Sequence, residues 1–78
     1  MLTKVLAKEL APAVRVNAIA PGTITMPGDP PEWEWDYVQK APLGRSGRPG
    51  DVTDAVMYLI AAEFVTGHVL VVDGGRTL

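Results

Sequence analysis

The stretch that decides the fold of this chain is Arg15-Val16-Asn17-Ala18-Ile19-Ala20-Pro21-Gly22. Residues 14–20 are rich in β-branched side chains and end at a Pro-Gly pair, so they predict a strand rather than a short helix. Val16 and Ile19 fall on opposite sides of the pleat, and both faces of the strand are therefore apolar. This pattern is typical of a strand that is covered on both faces in a parallel sheet.

A second strand is predicted near the C-terminus. Residues 68–72 form a continuous apolar run that ends at Asp73-Gly74-Gly75, and residues 51–62 carry apolar side chains at every third or fourth position. The second pattern predicts a helix with Pro49 or Asp51 in its first turn. We expect the strands 14–20 and 68–72 to be parallel neighbours across this helix, because their connection is far too long for a hairpin.

The remaining segments complete an alternating order of elements. Leu2, Val5, Leu6 and Leu10 recur at helical spacing, which predicts an amphipathic helix over residues 1–11. No capping residue precedes that helix, so we expect the chain to begin within one. Residues 22–50 form a long excursion with a helical turn or two near residues 32–39. The order helix, strand, long loop, helix, strand predicts an α/β fold with a parallel sheet.

Composition excludes several classes of function. The net charge is −2 and the basic residues are scattered, which argues against a nucleic-acid surface. With no cysteine and a single histidine, His68, the chain has no disulfide and no set of metal ligands. No apolar run approaches the roughly 20 residues that span a bilayer, and no signal peptide is present, so we expect a cytoplasmic protein without membrane contact.

The apolar content is high for so short a chain. Hydrophobic residues make up 47% of the 78 positions, more than a small fold is expected to cover. The excess predicts a partner surface. Composition leaves open whether that partner is the rest of a longer polypeptide, a second copy of this chain, or another protein.

Four segments resemble the short-chain dehydrogenase/reductase family in order and spacing. They are residues 2–12, residues 15–22, Pro42-Leu43-Gly44-Arg45 with Gly47, Pro49 and Asp51-Val52, and residues 66–75. The resemblance covers essentially the whole chain and implies that residues 1–78 are the C-terminal part of one NAD(P)-binding domain, a Rossmann-type doubly wound parallel sheet. It also implies that the glycine-rich phosphate-binding turn and the catalytic Ser, Tyr and Lys belong to an absent N-terminal half.

A narrower resemblance concerns the end of the chain. Residues 61–67 and 73–78 are similar to the pteridine-reductase-like branch of the family, the alternative being a general ketone reductase such as the 3-oxoacyl-carrier-protein reductases. The resemblance implies an oxidoreductase that transfers hydride between NAD(P)H and a carbonyl or pterin-like substrate.

The resemblance assigns a cofactor-side turn to the end of the first strand. Its backbone would contact the nicotinamide end of NAD or NADP, and its residues are Pro21, Gly22, Thr23 and Ile24. The alternative is an ordinary turn that ends a strand. Many family members have Thr where this chain has Met26, and Thr25 stands one position away, so no hydroxyl contact is assigned to it.

The same resemblance assigns the excursion to a substrate loop. Its candidate residues are Met26, Trp33, Trp35 and Tyr37, and the flat rings of the three aromatic residues would suit a planar substrate. Alternatively, all four residues pack the loop onto its neighbours. Arg45 and Arg48 are expected to be structural, and Asp73 is expected to hold the Gly74-Gly75 turn.

No catalytic residue is predicted within the 78 residues, because Tyr37 and Tyr58 each lack a lysine four positions later. The chain alone is therefore expected to be inactive. Because of its apolar excess, it is also expected to form a homo-oligomer through its last helix and strand. The competing hypothesis is a free-standing, non-catalytic association module derived from such an enzyme.

Overall fold

The computed structural model describes residues 1–78. The elements, in chain order, are α1 (Leu2–Leu10), β1 (Ala18–Pro21), a 3-10 helix (Pro31–Trp33), α2 (Trp35–Lys40), α3 (Pro49–Ala61) and β2 (Val69–Val72). This order confirms the predicted alternation, and the two short helices confirm the helical turns expected near residues 32–39.

The two strands form one parallel sheet. Ala18 lies opposite Val69 and Pro21 lies opposite Val72, and α3 packs against both strands. The predicted parallel pairing across the helix is therefore confirmed. The carboxyl ends of both strands meet at one edge, where the chain continues into Gly22 on one side and Asp73 on the other.

The first strand is shorter than predicted, and its assignment to residues 14–17 is wrong. Val16 and Asn17 bond to the loop before β2 instead of extending the ladder, and the Gly67 N–H donates to the Val16 carbonyl at 2.7 Å. The Val16 N–H donates to Thr66 Oγ1 at 3.1 Å, and the Asn17 side chain donates to the Val65 carbonyl at 3.0 Å while accepting from the His68 N–H at 3.0 Å. The side-chain oxygens of Thr66 and Asn17 thus accept from the amides of Val16 and His68 in place of ladder carbonyls.

The last helix spans Pro49–Ala61 and includes both Pro49 and Asp51 in its first turn, the two residues that the sequence suggested there. Proline suits the first helical position, because the N–H that it lacks would have had no partner within the helix.

Arg15 fastens the segment before β1 to the end of α3. Its guanidinium donates to the carbonyls of Leu59 at 2.8 Å, Ile60 at 2.8 Å and Ala62 at 2.9 Å. These charge-assisted bonds satisfy carbonyls that have no partner within the helix and place a cation at its negative end. One side chain therefore sets how the strand enters the sheet.

The core is small, with five buried residues out of 78: Ala7, Ala41, Ser46, Ala55 and Leu59. The apolar stripe of α1 is exposed, and Leu2 at its start is 69% accessible. None of the helices is both long enough and apolar enough to cross a membrane.

Candidate functional site

The turn after β1 is held from two sides. The Gly22 N–H donates to the Val72 carbonyl at 2.9 Å, which extends the ladder by one bond. Beyond it, the Gly47 N–H donates to Thr23 O at 2.8 Å, and the Thr25 N–H donates to Gly47 O at 2.9 Å. This short parallel bridge between Ile24 and Gly47 holds the predicted cofactor-side turn at the carboxyl edge of the sheet.

Ile24 itself keeps its peptide groups unpaired. In the bridge, Gly47 bonds to the residues on either side of Ile24, while the Ile24 N–H and carbonyl make no hydrogen bond within the chain. Because the N–H and C=O of one strand residue point the same way, both Ile24 groups point away from Gly47. The turn thus presents one donor and one acceptor side by side.

Tyr37 is brought directly to this turn. Its hydroxyl donates to the Asp73 carbonyl and lies against Gly22, where a side chain would collide with it. An added Cβ at Gly22 would also lie 2.9 Å from the Asp73 Cβ. The absence of a side chain at Gly22 therefore lets α2 and the end of β2 approach the turn together. This places one substrate-loop candidate beside one cofactor-side candidate.

The aromatic residues before Tyr37 lie apart from the turn. Trp33 is 65% and Trp35 is 62% accessible, and Met26 is also exposed. The Met26 N–H donates to the Asp29 carboxylate at 2.8 Å, which closes a local turn. These three candidates line the outside of the loop and do not converge with Tyr37.

A chain of polar side chains that the sequence did not suggest joins the loop to the turn. Ser46, only 4% accessible, donates its hydroxyl to the Glu34 carboxylate, and its oxygen lies 2.9 Å from Thr25 Oγ1. No residue spacing announces this cluster, because its members come from three separate stretches. The sequence offered one signal, Thr25, which stands one position before the place where many family members have a threonine.

Arg45 has the structural role that was predicted, whereas Arg48 contributes only its backbone, because its guanidinium forms no hydrogen bond or ion pair within the chain. Arg45 forms an ion pair with Asp51 at 2.9 Å, and the Arg48 N–H donates to the same carboxylate at 2.8 Å. The Arg45 hydrogen bond, followed by the Arg48 N–H, lowers the pKa of Asp51 from 3.8 to about 2. The same pair raises the pKa of Arg45. All of these contacts fix the start of α3.

Asp73 holds the final turn, as predicted. Its carboxylate accepts from the Gly75 N–H at 2.9 Å, the Thr77 N–H at 3.2 Å and the Thr77 hydroxyl at 2.8 Å. The Thr77 hydroxyl is the main cause of a lowered pKa at Asp73, and burial opposes it. These bonds occupy the carboxylate, so Asp73 supplies no free base at the edge of the sheet.

A hollow of about 400 Å³ opens beside this edge. It is lined by residues of the 43–47 segment, by Asp51 and Asp54 of α3, and by residues 71–75. None of the residues 21–24 lines it. The hollow is therefore distinct from the candidate cofactor contact.

The chain is similar to known proteins over almost its whole length. Residues 1–77 match the family model described as Enoyl-(Acyl carrier protein) reductase. The solved short-chain dehydrogenase from Leptospira borgpetersenii with bound NAD⁺ superimposes with a TM-score of 0.87 at 41% identity, covering 99% of this chain and 31% of that one. The chain belongs to the short-chain dehydrogenase/reductase family.

Other members of the family support the same assignment. A 3-oxoacyl-[acyl-carrier protein] reductase from Brucella melitensis superimposes with a TM-score of 0.87 at 42% identity, covering 99% of this chain and 31% of that chain. Carbonyl reductase family member 4 from Xenopus laevis is 44% identical over 97% of this chain and 33% of its own length. The chain thus spans about a third of the length of the short-chain dehydrogenases and reductases that it matches.

Proposed function

We propose that this chain contributes the nicotinamide-side turn and the substrate loop to an NAD(P)-dependent reductase of the short-chain dehydrogenase/reductase family. The cofactor-side residues are Pro21, Gly22, Thr23 and Ile24. The observation that carries the proposal is the unpaired N–H and carbonyl of Ile24 at the carboxyl edge of a parallel sheet. When bound, the nicotinamide would supply hydride transfer.

The Ile24 peptide groups are complementary to a primary carboxamide. A carboxamide offers one C=O acceptor and an NH₂ donor, and the turn offers one donor and one acceptor on the same side. The backbone holds this pair in place through the Gly47 bridge and the Gly22 bond to β2, so recognition requires no particular side chain. The short-chain dehydrogenase from Leptospira borgpetersenii that resembles this chain binds NAD⁺, which supports the choice of cofactor.

A carbonyl compound is the substrate class that we propose. The support comes from relatives named carbonyl reductase and 3-oxoacyl-[acyl-carrier-protein] reductase, both more than 40% identical to this chain. A pterin-like substrate is the second candidate, and it rests on the exposed rings of Trp33 and Trp35 in the substrate loop. Flat indoles favour stacking on a planar heterocycle.

The chain does not carry the whole reaction within its 78 residues. Neither tyrosine is followed by a lysine at the fourth position, and no glycine-rich phosphate-binding turn is present in the sequence. We therefore assign proton transfer and pyrophosphate binding to protein segments outside these residues. The cytoplasm is the compartment that we propose for the reaction. Purified 78-residue chain should accordingly leave NADPH unoxidised in the presence of a ketone.

A non-catalytic association module is the competing function. It is favoured by the exposure of large apolar side chains on α1, α3 and β2. The two functions differ in one respect that can be measured, because only the first requires the turn to recognise a nicotinamide.

The test is amide chemical-shift mapping of the ¹⁵N-labelled chain with nicotinamide mononucleotide. We expect shifts centred on Gly22, Thr23 and Ile24, and none there with adenosine monophosphate, which lacks the carboxamide. The I24P variant removes the donor and should abolish the response, whereas I24V keeps the peptide group and should retain it. Equal responses to both nucleotides, or an unaffected I24P variant, would refute the proposed role of the turn.

A further inference from the structure

We propose that Ser46 is a positioning residue that couples the helical part of the substrate loop, residues 31–40, to the cofactor-side turn. Its buried hydroxyl lies between the Glu34 carboxylate of the loop and the hydroxyl of Thr25, the residue that directly follows the turn. Displacing the loop would therefore release the turn. The significance for catalysis rests on the proposed function, whereas the coupling itself is a property of the 78-residue chain.

The hydrogen bonds of this cluster end on the Glu34 carboxylate. Ser46 has a single hydroxyl proton, and a carboxylate can only accept, so that proton goes to Glu34. The Ser46 oxygen can then accept from the Thr25 hydroxyl, 2.9 Å away, whose other acceptor is the Gly47 carbonyl at 3.3 Å. The order Thr25 to Ser46 to Glu34 ends on a negative charge, and such charge-assisted bonds are stronger than neutral ones.

Ser46 is the one polar residue among the five buried residues. Burying a hydroxyl is unfavourable unless it is hydrogen-bonded, and removal of Glu34 would leave the neutral Thr25 hydroxyl as the only side-chain partner of Ser46. The loop carboxylate thus supplies the stronger, charge-assisted bond of the cluster. The adjacent Gly47 carries both backbone bonds to the turn, so a shift at Ser46 is transmitted directly to Thr23 and Thr25.

A second tether makes the coupling two-sided. Tyr37 lies three residues after Glu34 and fastens the same end of α2 to the Asp73 carbonyl, against Gly22. The loop therefore contacts the turn at Gly22 and again at Thr25, the residue that directly follows it. Between these points lie the unpaired peptide groups of Ile24, so both tethers act on the segment that is proposed to meet the nicotinamide.

The test is amide hydrogen exchange of the full chain, measured residue by residue by NMR. In the E34A variant, we expect exchange at Thr25 and Gly47 to accelerate by about tenfold, the order expected for losing one hydrogen bond to a charged group. The E34Q variant keeps a carbonyl oxygen that accepts from Ser46, and it should restore protection.

The matched control is D36A, which removes a carboxylate two residues after Glu34, in the first turn of α2. Asp36 pairs with Lys40 at 3.0 Å and does not contact the Ser46 cluster. The amides of the β1–β2 ladder, such as that of Ala18, which donates to the His68 carbonyl just before β2, report whether the sheet remains intact. We expect D36A to leave Thr25 and Gly47 protected and E34A to leave the sheet amides unchanged.

Three outcomes would overturn the coupling: E34A and E34Q behave alike, D36A has the same effect as E34A, or the unaltered chain shows no protection at Thr25 and Gly47. If E34A also exposes the sheet amides, the S46A/E34A pair decides. Coupling requires the double variant to exchange no faster than S46A alone, and additive effects would contradict it. No cofactor or turnover enters these measurements, so a failed nicotinamide titration would leave their outcome unaffected.

Discussion

Gly22 shows at the scale of one residue why a particular amino acid is needed at the turn. The Tyr37 hydroxyl and the Asp73 Cβ occupy the space that its side chain would fill. Gly50, in the first turn of α3, is different, because a Cβ there would meet nothing within 4 Å. Replacement by alanine is therefore expected to affect stability in opposite directions at the two glycines.

We predict that G22A destabilises the chain and that G50A stabilises it. The added methyl in G22A forces Tyr37 or the turn to move, at a cost of about 1–3 kcal/mol. In G50A, the lower backbone entropy of alanine favours the helix by up to about 1 kcal/mol. Urea unfolding followed by circular dichroism gives both free energies. A change of the same sign in the two variants would contradict this account of Gly22.

At the scale of an element, the start of α3 depends on one carboxylate. Asp51 accepts from the Arg48 N–H and from the Arg45 guanidinium, while the Asp51 N–H donates back to Arg48 O at 2.9 Å. The N-terminus of a helix favours negative charge, so ionised Asp51 serves both the dipole and the local bonds.

We predict an acid-dependent loss of helix that Asp51 controls. Its pKa is lowered from 3.8 to about 2 in the fold, so its stabilising contribution is present above pH 3.8 and is lost as the pH falls toward 2. Helical circular dichroism should therefore decline across this range, and it should decline less in D51N. Asp73, whose pKa is also lowered, contributes in the same direction and remains in both proteins.

The control for this prediction is D54N, which changes an exposed carboxylate of the same helix that forms no ion pair. It should decline with acid as the unaltered chain does. Identical acid profiles for D51N and the unaltered chain would show that the Asp51 contacts contribute little to α3.

At the scale of the whole molecule, the chain is open and leaves apolar surface uncovered. Its radius of gyration is 14.9 Å, against about 11–12 Å expected for a compact domain of this length. Exposed large hydrophobic residues include Met57, Tyr58 and Ile60 of α3 and Val71 of β2. Both strands are also edge strands, which present unpaired backbone groups to another chain.

We predict that the isolated chain associates through α3 and β2. Burial of apolar surface at about 25 cal/mol per Å² lets even a modest interface stabilise so small a fold. Sedimentation velocity at micromolar concentration should reveal species heavier than the 8.3 kDa monomer. Met57 on α3 and Leu2 on α1 are similarly accessible, 62% and 69%, which makes L2E a matched control. M57E should weaken association more than L2E, because only Met57 lies on the predicted interface.

A well-folded 8.3 kDa monomer whose unfolding is independent of concentration would contradict this prediction. Equal effects of M57E and L2E would instead show that the interface lies elsewhere than the last helix and strand.

The sequence by itself determined the elements and their pairing, because these follow from local periodicity and from connection length. The apolar spacing of residues 51–62 predicts a helix, the two apolar runs predict strands, and the long crossover predicts that they are parallel. The burial predicted for both strands is not seen within the chain, where no strand residue is buried. Asp73 and its glycines predict their own turn, since the bonds that form it span four residues or fewer.

Only the tertiary structure decided where β1 begins and how the loop meets the turn. Arg15 and Asn17 end the ladder through partners more than 40 residues away, and Ser46 meets Glu34 and Thr25 across 12 and 21 residues. Such contacts depend on how packed elements bring distant side chains together, and no periodicity in the sequence records that distance. Local patterns therefore determine which elements form, whereas long-range hydrogen bonds determine the geometry of the candidate site.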